Sequence, residues 1–506
     1  LAAARRALSA LPEQDPRVRS ARAEAERLSL LASGVYVRAT AERASCIPGS
    51  TLPVRVEVVL RRNAPIALTQ VRFPDGQTQK LSTPLKLHEK RELRAEVACT
   101  KDANPSVPYW LDDTASREPR NLDSPVSPPP LMAAAEFELA GQALTLQAPV
   151  VMAYTDRVHG EREREVVIAP PLTITPERSA VLFPNGAARD IQLRLRAAAD
   201  AQTGQVSLQL PAGYRIDPET RDVQLAHAGD EAIVTFAVTP PAKSTSAPEF
   251  ALPVVAVSGR RYQLREDTID YPHVPLQLVL APARIRLSPV VLSKPRGLVG
   301  YVEGSGDSIA ADLTHVGASV VNLSDRDLRE TDLSRFTAIV LGVRSYNTRD
   351  VLKTTHMRLM QYVEHGGTLL VQYVTRSSIS PLDQPIGPYP LEVGRGRVTD
   401  ENAAVQLLVP THPVLQQPHH IDANDFAGWV QERGLYFGER WDEHYQSLLA
   451  MTDPSEASER GALLVARHGK GRYIYTGLSF FRQLPAGIPG AYRLFINLIT
   501  PSAHTP

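Results

Sequence analysis

Cysteine is almost missing from this chain. Of 506 residues only Cys46 and Cys99 carry a thiol, and none follows residue 99. Thiolate nucleophiles and thiolate metal ligands are therefore excluded from everything beyond the first β-rich region. The pair itself admits two readings: two buried free thiols or, in an exported protein, a disulfide. Net charge is missing as well. Basic and acidic residues number 55 each, so charge offers no reason to expect nucleic acid or an anionic membrane surface. No apolar run approaches the ~18 residues that mark a spanning helix. The chain starts at Leu1 with no basic–apolar–small signal peptide. The expectation is a processed product or a piece of something longer.

What is present is a globular composition, 43% hydrophobic and 22% charged, with length enough for three domains. The 42 prolines suit strand edges and loops better than long helices. Residues 1–32 read as a helical segment. Asp15-Pro16 supplies an N-cap and a first-turn proline, and Val18, Ala21, Ala25, Leu28 and Ala32 recur on one face. So short a helix must pack on a neighbour, and a chain that begins within it fits an upstream domain.

From Gly34 the period becomes two. Leu52, Val54, Val56, Val58 and Leu60 alternate with Pro53, Arg55, Glu57 and Val59, as in a half-buried strand. Val71 with Phe73, Leu93 with Val97, and Phe137 with Leu139 continue the pattern between turns such as Pro74-Asp75-Gly76. Residues 33–165 therefore read as a β-sandwich of Ig-like type. A long insert at 101–130 carries Tyr109-Trp110-Leu111; the aromatic pair could stack a sugar but is expected to close over the sandwich core. A second β-sandwich covers 166–290, with Ile191, Leu193, Leu195, then Val206, Leu208, Leu210, then Ile233, Phe236, Val238. Pro240-Pro241-Ala242-Lys243-Ser244 reads as a loop, and His227 as a solvated loop residue. Nothing reactive gathers there, so a spacer or docking role is expected.

Residues 291–506 change again. Strands are expected at 298–302, 318–323, 338–343 and 368–373. Helices are expected from Ser308 and through Leu352, Leu359, Met360 and Val363, the latter ending at Gly366-Gly367. A hairpin should join 463–467 to 473–476. Alternating strands and helices imply a mostly parallel sheet with right-handed crossovers, and ligands bind such sheets beyond the strand carboxyl ends. That rule selects three segments. Gly304-Ser305-Gly306-Asp307 could hold an anion on its amides, or form a tight turn with Asp307 capping a helix. Ile309 at the third glycine position breaks a dinucleotide fingerprint. Gly342-Val343-Arg344-Ser345-Tyr346-Asn347-Thr348-Arg349 offers Arg344, Tyr346 and Asn347 to a carboxylate or hydroxyl-rich ligand, with structural ion pairing of Arg344 as the alternative. Ser345 lacks the glycines of a nucleophile elbow. In Asp425-Phe426-Ala427-Gly428-Trp429-Val430-Gln431-Glu432-Arg433, a helix would put Asp425 and Glu432 on one face as an acid/base pair; surface carboxylates are the expectation. His412, His419 and His420 lack metal-ligand spacing, and His356 falls on the apolar face of its helix.

Taken together, these segments resemble the C-terminal region of large bacterial PIG-L/LmbE-family deacetylase-like proteins. The resemblance also rests on Ile269-Asp270-Tyr271-Pro272-His273, Gly300-Tyr301-Val302-Glu303, Tyr362-Val363-Glu364-His365-Gly366-Gly367-Thr368 and Gln483-Leu484-Pro485-Ala486-Gly487, and it covers essentially the whole chain. It implies an upstream zinc-dependent N-acetyl-sugar deacetylase domain, followed by β-sandwich units and a glutamine-amidotransferase-like α/β domain. It also implies periplasmic or secreted residence. The deacetylase's Ala-His-Pro-Asp-Asp-type zinc motif has no counterpart here, because the only His-Pro, His412-Pro413, runs on into Val414 and Leu415. The amidotransferase cysteine, expected after the strand at 368–373, is absent too. No catalytic residue carries over, and zinc is expected only in the upstream domain.

The chain therefore reads as a multidomain, non-catalytic portion of such a protein. It would bind a glycan or position a partner, either the upstream deacetylase domain or another subunit. Gly304, Gly306, Asp307, Arg344, Tyr346, Asn347, Asp425, Trp429, Glu432 and Arg433 are its candidate ligand-binding residues. A sugar-derivative hydrolase in the α/β domain and a scaffold subunit of a larger complex are the alternatives.

Overall fold

A computed structural model describes residues 2–12, 14–111, 127–242, 248–376, 382 and 384–501. Much of the 101–130 insert, and Lys243 and Ser244 of the expected loop, lie outside the described residues. The architecture is multidomain and mostly β, with many sheets and few helices. No described helix is long and apolar enough to cross a membrane.

The N-terminal segment is two helices, not one: Ala2–Ser9 and Pro16–Ser33. Asp15 caps the second, its side chain accepting the Arg17 amide, and Gly34 at φ 72° ends it in the left-handed conformation that glycine adopts without strain. The buried face is rotated from the expected one. Ala25, Ser29, Leu30 and Ser33 turn inward, while Leu28 and Ala32 face solvent. Serines fit the inner face because each hydroxyl bonds a carbonyl of its own helix, Ser29 to Ala25 and Ser33 to Leu30, both at 2.7 Å. The helix pair lies along the strand Gln142–Asp156, where Arg5 donates to the Ala143 carbonyl and Glu26 accepts the Thr145 amide.

The first sandwich is an eight-stranded sheet whose two layers are continuous through that 15-residue strand. Leu52, Val54, Val56, Val58 and Leu60 of the strand Thr51–Leu60 are all buried, as their alternation predicted. Each stabilises the fold by roughly 1.5–3 kcal/mol through burial. Cys46 and Cys99 form a disulfide with Cα atoms 6.0 Å apart. It closes the sandwich where the chain leaves for the next domain: the Ala169 amide bonds the Cys46 carbonyl, and Val167–Ile168 pairs with Ser45–Cys46.

The second sandwich packs a four-stranded sheet on a six-stranded one around Ile191, Leu193, Phe236 and Val238. Its edge merges with the last domain. Leu182, Val290 and Leu292 share one apolar cluster with the helix Pro489–Ile499. Arg178 reaches across to Asp312 at 2.8 Å and to the Ala311 carbonyl. Ser293 donates its amide to His419 Nε2 at 3.2 Å, and burial first, then Arg493, holds that imidazole down near a pKa of about 4.

The last domain is built on a seven-stranded sheet ordered Ser319–Asn322, Leu298–Val302, Phe336–Leu341, Thr368–Gln372, Gly471–Thr476, Leu463–His468, Tyr445–Ser447. The first five run parallel; Leu463–His468 is antiparallel to Gly471–Thr476, and Tyr445–Ser447 is antiparallel to Leu463–His468 in turn. All five residues of Thr368–Gln372 are buried, as a central strand covered on both faces requires. The helix Val351–Glu364 covers one face and Pro489–Ile499 the other.

Two outcomes test this packing. Replacing Cys46 and Cys99 by alanine removes a cross-link spanning 53 residues and should cost about 2–4 kcal/mol, read by denaturant unfolding against the oxidised chain. Arg178→Ala strands the buried Asp312 carboxylate and should cost about 2–3 kcal/mol in the same assay; an unchanged midpoint would mean the ion pair does not hold the interface.

Candidate functional site

The crossing from one side of the sheet to the other falls between Leu298–Val302 and Phe336–Leu341, so the loops after these strands flank the natural ligand crevice. Here the chain fills that crevice itself. A Cβ on Gly304 would stand 2.0 Å from the Val343 carbonyl oxygen, and one on Gly342 would stand 2.7 Å from the Tyr301 hydroxyl. Only glycines permit the two loops to touch. Asp307 then locks them. Its Oδ1 accepts the Tyr301 hydroxyl and, at 3.1 Å, the Ile309 amide, while its Oδ2 accepts the Val343 amide at 3.2 Å. Burial and the adjoining Asp307 carboxylate push the Tyr301 phenol far above its ordinary value, so it stays a proton donor. Of the loop's amides, that of Ser305 bonds the Val343 carbonyl, and Asp307 places a carboxylate at the loop's end.

The second segment is a sharp strand-to-helix turn. Arg344 adopts φ 58° and ψ 22°, left-handed backbone that a non-glycine residue enters only under constraint. The constraint is its amide, bonded to the Tyr373 carbonyl of the next loop at 2.8 Å. Asn347 reinforces it, donating to the Thr375 carbonyl at 2.8 Å and accepting the Thr375 amide at 2.9 Å. Tyr346 points inward, its hydroxyl 2.9 Å from His356 Nδ1. Tyr346 and Asn347 therefore hold the turn and are not free for a ligand. Arg344 is half-buried and forms no side-chain ion pair among the described residues. Its Nε, with Ser345 Oγ, Gln372 Oε1 and Thr375 Oγ1, is buried without a hydrogen-bond partner among the described residues. Four such atoms on two adjacent strand ends are unusual, since each costs about 1–3 kcal/mol left unpaired.

Beside the turn lies a ledge that the motifs did not reveal. Tyr373 stacks on Tyr436 with centroids 5.4 Å apart and meets Phe481 at 5.6 Å. Arg482 lies 4.8 Å over the Phe481 ring and pairs with Glu432 at 2.7 Å. Tyr436 and Gln431 are also left-handed, at φ 54° and 67°. Burial raises the Tyr373 hydroxyl, and Arg344 pulls it back. Tyr373 was findable by applying the strand-end rule to the fourth strand; Tyr436 and Phe481 come from distant loops with no motif.

The third segment is not a helix. A single 3-10 turn, Ala423–Phe426, gives way to turns and irregular chain, so Asp425 and Glu432 share no helical face. Asp425 is buried, paired with Arg493 at 2.7 Å and accepting the Asp422 amide. Trp429 is buried and donates to the Asp425 carbonyl, and the Arg433 guanidinium is spent on the carbonyls of Ala403 and Phe426. These residues are internal scaffolding, and only Glu432 borders the ledge. His412 accepts the Val414 amide as a helix cap with Pro413 behind it, and His420 bonds Gln416. Among the described residues no three His, Cys, Asp or Glu side chains converge as a metal site.

Tyr109 and Trp110 do not close over the core as expected. They meet edge-to-face at 5.0 Å and are 38% and 54% exposed. Trp110 lines a cleft of about 470 Å³ with Phe250, Arg265, Asp267 and Arg284 of the second sandwich.

The fold and site thus define a multidomain β-rich chain ending in an α/β sheet domain with a cationic, aromatic strand-end site. No family model matches it, and no curated protein does. Among solved structures, a Salmonella alpha-2-macroglobulin mutant is 12% identical over 51% of this chain and 16% of its own, with a TM-score of 0.19. Elastase-activated Escherichia coli alpha-2-macroglobulin is 11% identical over 51% of this chain and 22% of its own, at 0.20. A Porphyromonas gingivalis protein of unknown function is 12% identical over 51% of this chain and 99% of its own, at 0.14. This chain spans under a quarter of the alpha-2-macroglobulins it matches, and likenesses at these TM-scores carry no argument.

Asp307→Ala would leave the Tyr301 hydroxyl and two amides without an acceptor. It should cost about 2–3 kcal/mol in denaturant unfolding, whereas a loss under about 0.5 kcal/mol, typical of an uninvolved surface site, would show that the loops are held by other means.

Proposed function

We propose that the chain is a non-catalytic binding and positioning module, the C-terminal portion of a PIG-L/LmbE deacetylase-like protein. Its last domain would be an amidotransferase-like unit that has lost its chemistry. One observation carries the reading: the strained turn after Phe336–Leu341 presents Arg344, a cation that cannot act as a nucleophile, beside stacked tyrosines. The neighbouring hydroxyl, Ser345, is wholly buried. A guanidinium whose Nε has no partner among the described residues, with an aromatic ledge beside it, suits a carboxylate-bearing or hydroxyl-rich sugar, through charge-assisted bonds and ring stacking. The exposed Trp110 cleft supports a glycan ligand at a second place. The five parallel strands with the turn at their carboxyl ends support the amidotransferase-like assignment, and the Cys46–Cys99 disulfide supports a periplasmic or secreted setting.

The hydrolase alternative is weaker, because the carboxylates it needs are engaged with Arg493 and Arg482. The continuous core between the second sandwich and the α/β domain favours positioning, since it fixes one domain against the other.

Calorimetric titration of the whole chain with glucuronate and with an N-acetylglucosamine tetramer tests the site. At least one should bind, and Arg344→Ala should weaken it tenfold or more, about 1.4 kcal/mol, with the melting temperature unchanged. Equal affinity in the variant would remove Arg344 from the site, and no binding of either sugar would remove the glycan reading.

A further inference from the structure

The second sandwich ends in the strand Ile285–Val290, and a connector then leads to Leu298–Val302 of the α/β domain. One side chain from each domain grips that connector. His419 accepts the Ser293 amide from the α/β side. From the sandwich side Asn185 holds Leu292 twice, its Nδ2 donating to the carbonyl at 2.9 Å and its Oδ1 accepting the amide at 3.2 Å. The Asn185 amide adds a third bond, to the Val290 carbonyl at 2.8 Å. Leu292 is buried in the apolar cluster that the two domains share, so Asn185 fastens the chain where they join.

The residue after Asn185 is Gly186. The pair turns the chain between Ala180–Pro184 and Arg189–Ala197, with φ 54° and 75° and the Ala187 amide on the Pro184 carbonyl at 3.1 Å. Two left-handed central residues make it a type I′ turn, for which Asn-Gly is a preferred sequence. The same dipeptide is chemically labile. Asparagine is a thermolabile residue, and the amide nitrogen that follows it attacks its side-chain carbonyl most readily when no Cβ shields that nitrogen. At Gly186 the surroundings give no shield either, since a Cβ placed there would meet nothing within 4 Å. Both residues are exposed, and Asn185 borders an open cleft of about 1030 Å³ along the connector, so water reaches the site. What the fold withholds is freedom. Nδ2 and Oδ1 are both engaged by Leu292, and the Gly186 amide is on the Phe183 carbonyl at 3.3 Å. The connector has to leave before the side chain can swing toward that amide.

We infer that Asn185-Gly186 is a deamidation site that the closed junction protects and an opened junction exposes, and that conversion there keeps the junction from closing again. The Gly186 nitrogen bonds the Asn185 Cγ, the Cγ–Nδ2 bond breaks, and the proton from the Gly186 nitrogen leaves with the departing ammonia. Water then opens the resulting succinimide at either carbonyl, giving aspartate or isoaspartate with no other reactant and no change of oxidation state. The new carboxylate has no N–H to offer the Leu292 carbonyl, so two acceptors face each other where a donor and an acceptor had met. Isoaspartate also adds one carbon to the backbone inside a tight turn. The inference concerns how one domain is fixed against the other, and it stands whether or not the chain binds a sugar.

The whole chain and a synthetic peptide of its residues 179–189 are incubated at mildly alkaline pH, and the gain of mass at Asn185 is followed by peptide mapping. The folded chain should convert more slowly than the peptide by roughly tenfold or more, because only locally opened molecules react. Urea below the unfolding midpoint, or Arg178→Ala in the same junction, should narrow that gap. Asn185→Asp should melt at a lower temperature than the native chain, and chain recovered after conversion should melt at a lower temperature too. A peptide that does not convert, equal rates in chain and peptide, no acceleration by either urea or Arg178→Ala, or an unchanged melting temperature in Asn185→Asp would overturn the inference.

Discussion

One partly buried carboxylate organises the strand-carboxyl end of the last domain. Asp307 draws the hydroxyl of Tyr301, the first turn of the helix Ile309–His315 and the loop after Phe336–Leu341 onto a single acceptor. Parallel sheets leave a crevice at this crossing, and most of them fill it with a ligand. Here an internal anion fills it, and two glycines let the backbones close around it. The consequence reaches one residue further: with Val343 pinned, Arg344 has to turn left-handed to meet the Tyr373 carbonyl. The strain at Arg344 is thus downstream of Asp307, and so is the direction in which its guanidinium is presented.

Positioning is the theme of the remaining structure. The disulfide sits where the first sandwich hands the chain to the second, and Arg178, Asn185 and His419 tie the second to the α/β domain over a shared apolar core. Few of these contacts are surface ion pairs of the kind that contribute little. Most are part-buried hydrogen bonds or packed aliphatics, which resist hinge motion. A ligand held at the strand ends would therefore be held at a defined distance from whatever the sandwiches carry.

The sheet architecture was legible because period-two alternation and buried apolar runs report burial directly; Thr51–Leu60 and Thr368–Gln372 are cases in point. The place of Arg344 in the fold was legible as well, since the strand-end rule needs only a strand and the residues at its carboxyl end. Other parts were not. The inner face of Pro16–Ser33 was misread because serines that bond their own helix are as buried as alanine, which hydropathy does not register. Asp425 and Glu432 looked like a pair only under helical spacing, and the chain there is turn and irregular backbone. Tyr436, Phe481 and Arg482 join Tyr373 through contacts more than 60 residues apart in sequence, where no local pattern connects them. Tyr109 and Trp110 were assigned to the core on the general tendency of aromatics, against which their exposure stands out.

On the proposed reading, in which the chain would hold a sugar without transforming it, the chain should be inert toward that sugar. Acetate release from an N-acetylglucosamine tetramer, followed over hours with the purified chain at increasing concentration, tests that most directly. Release should run no faster than the buffer blank at every concentration. Release at a rate that rises in proportion to the chain would contradict a purely binding and positioning role.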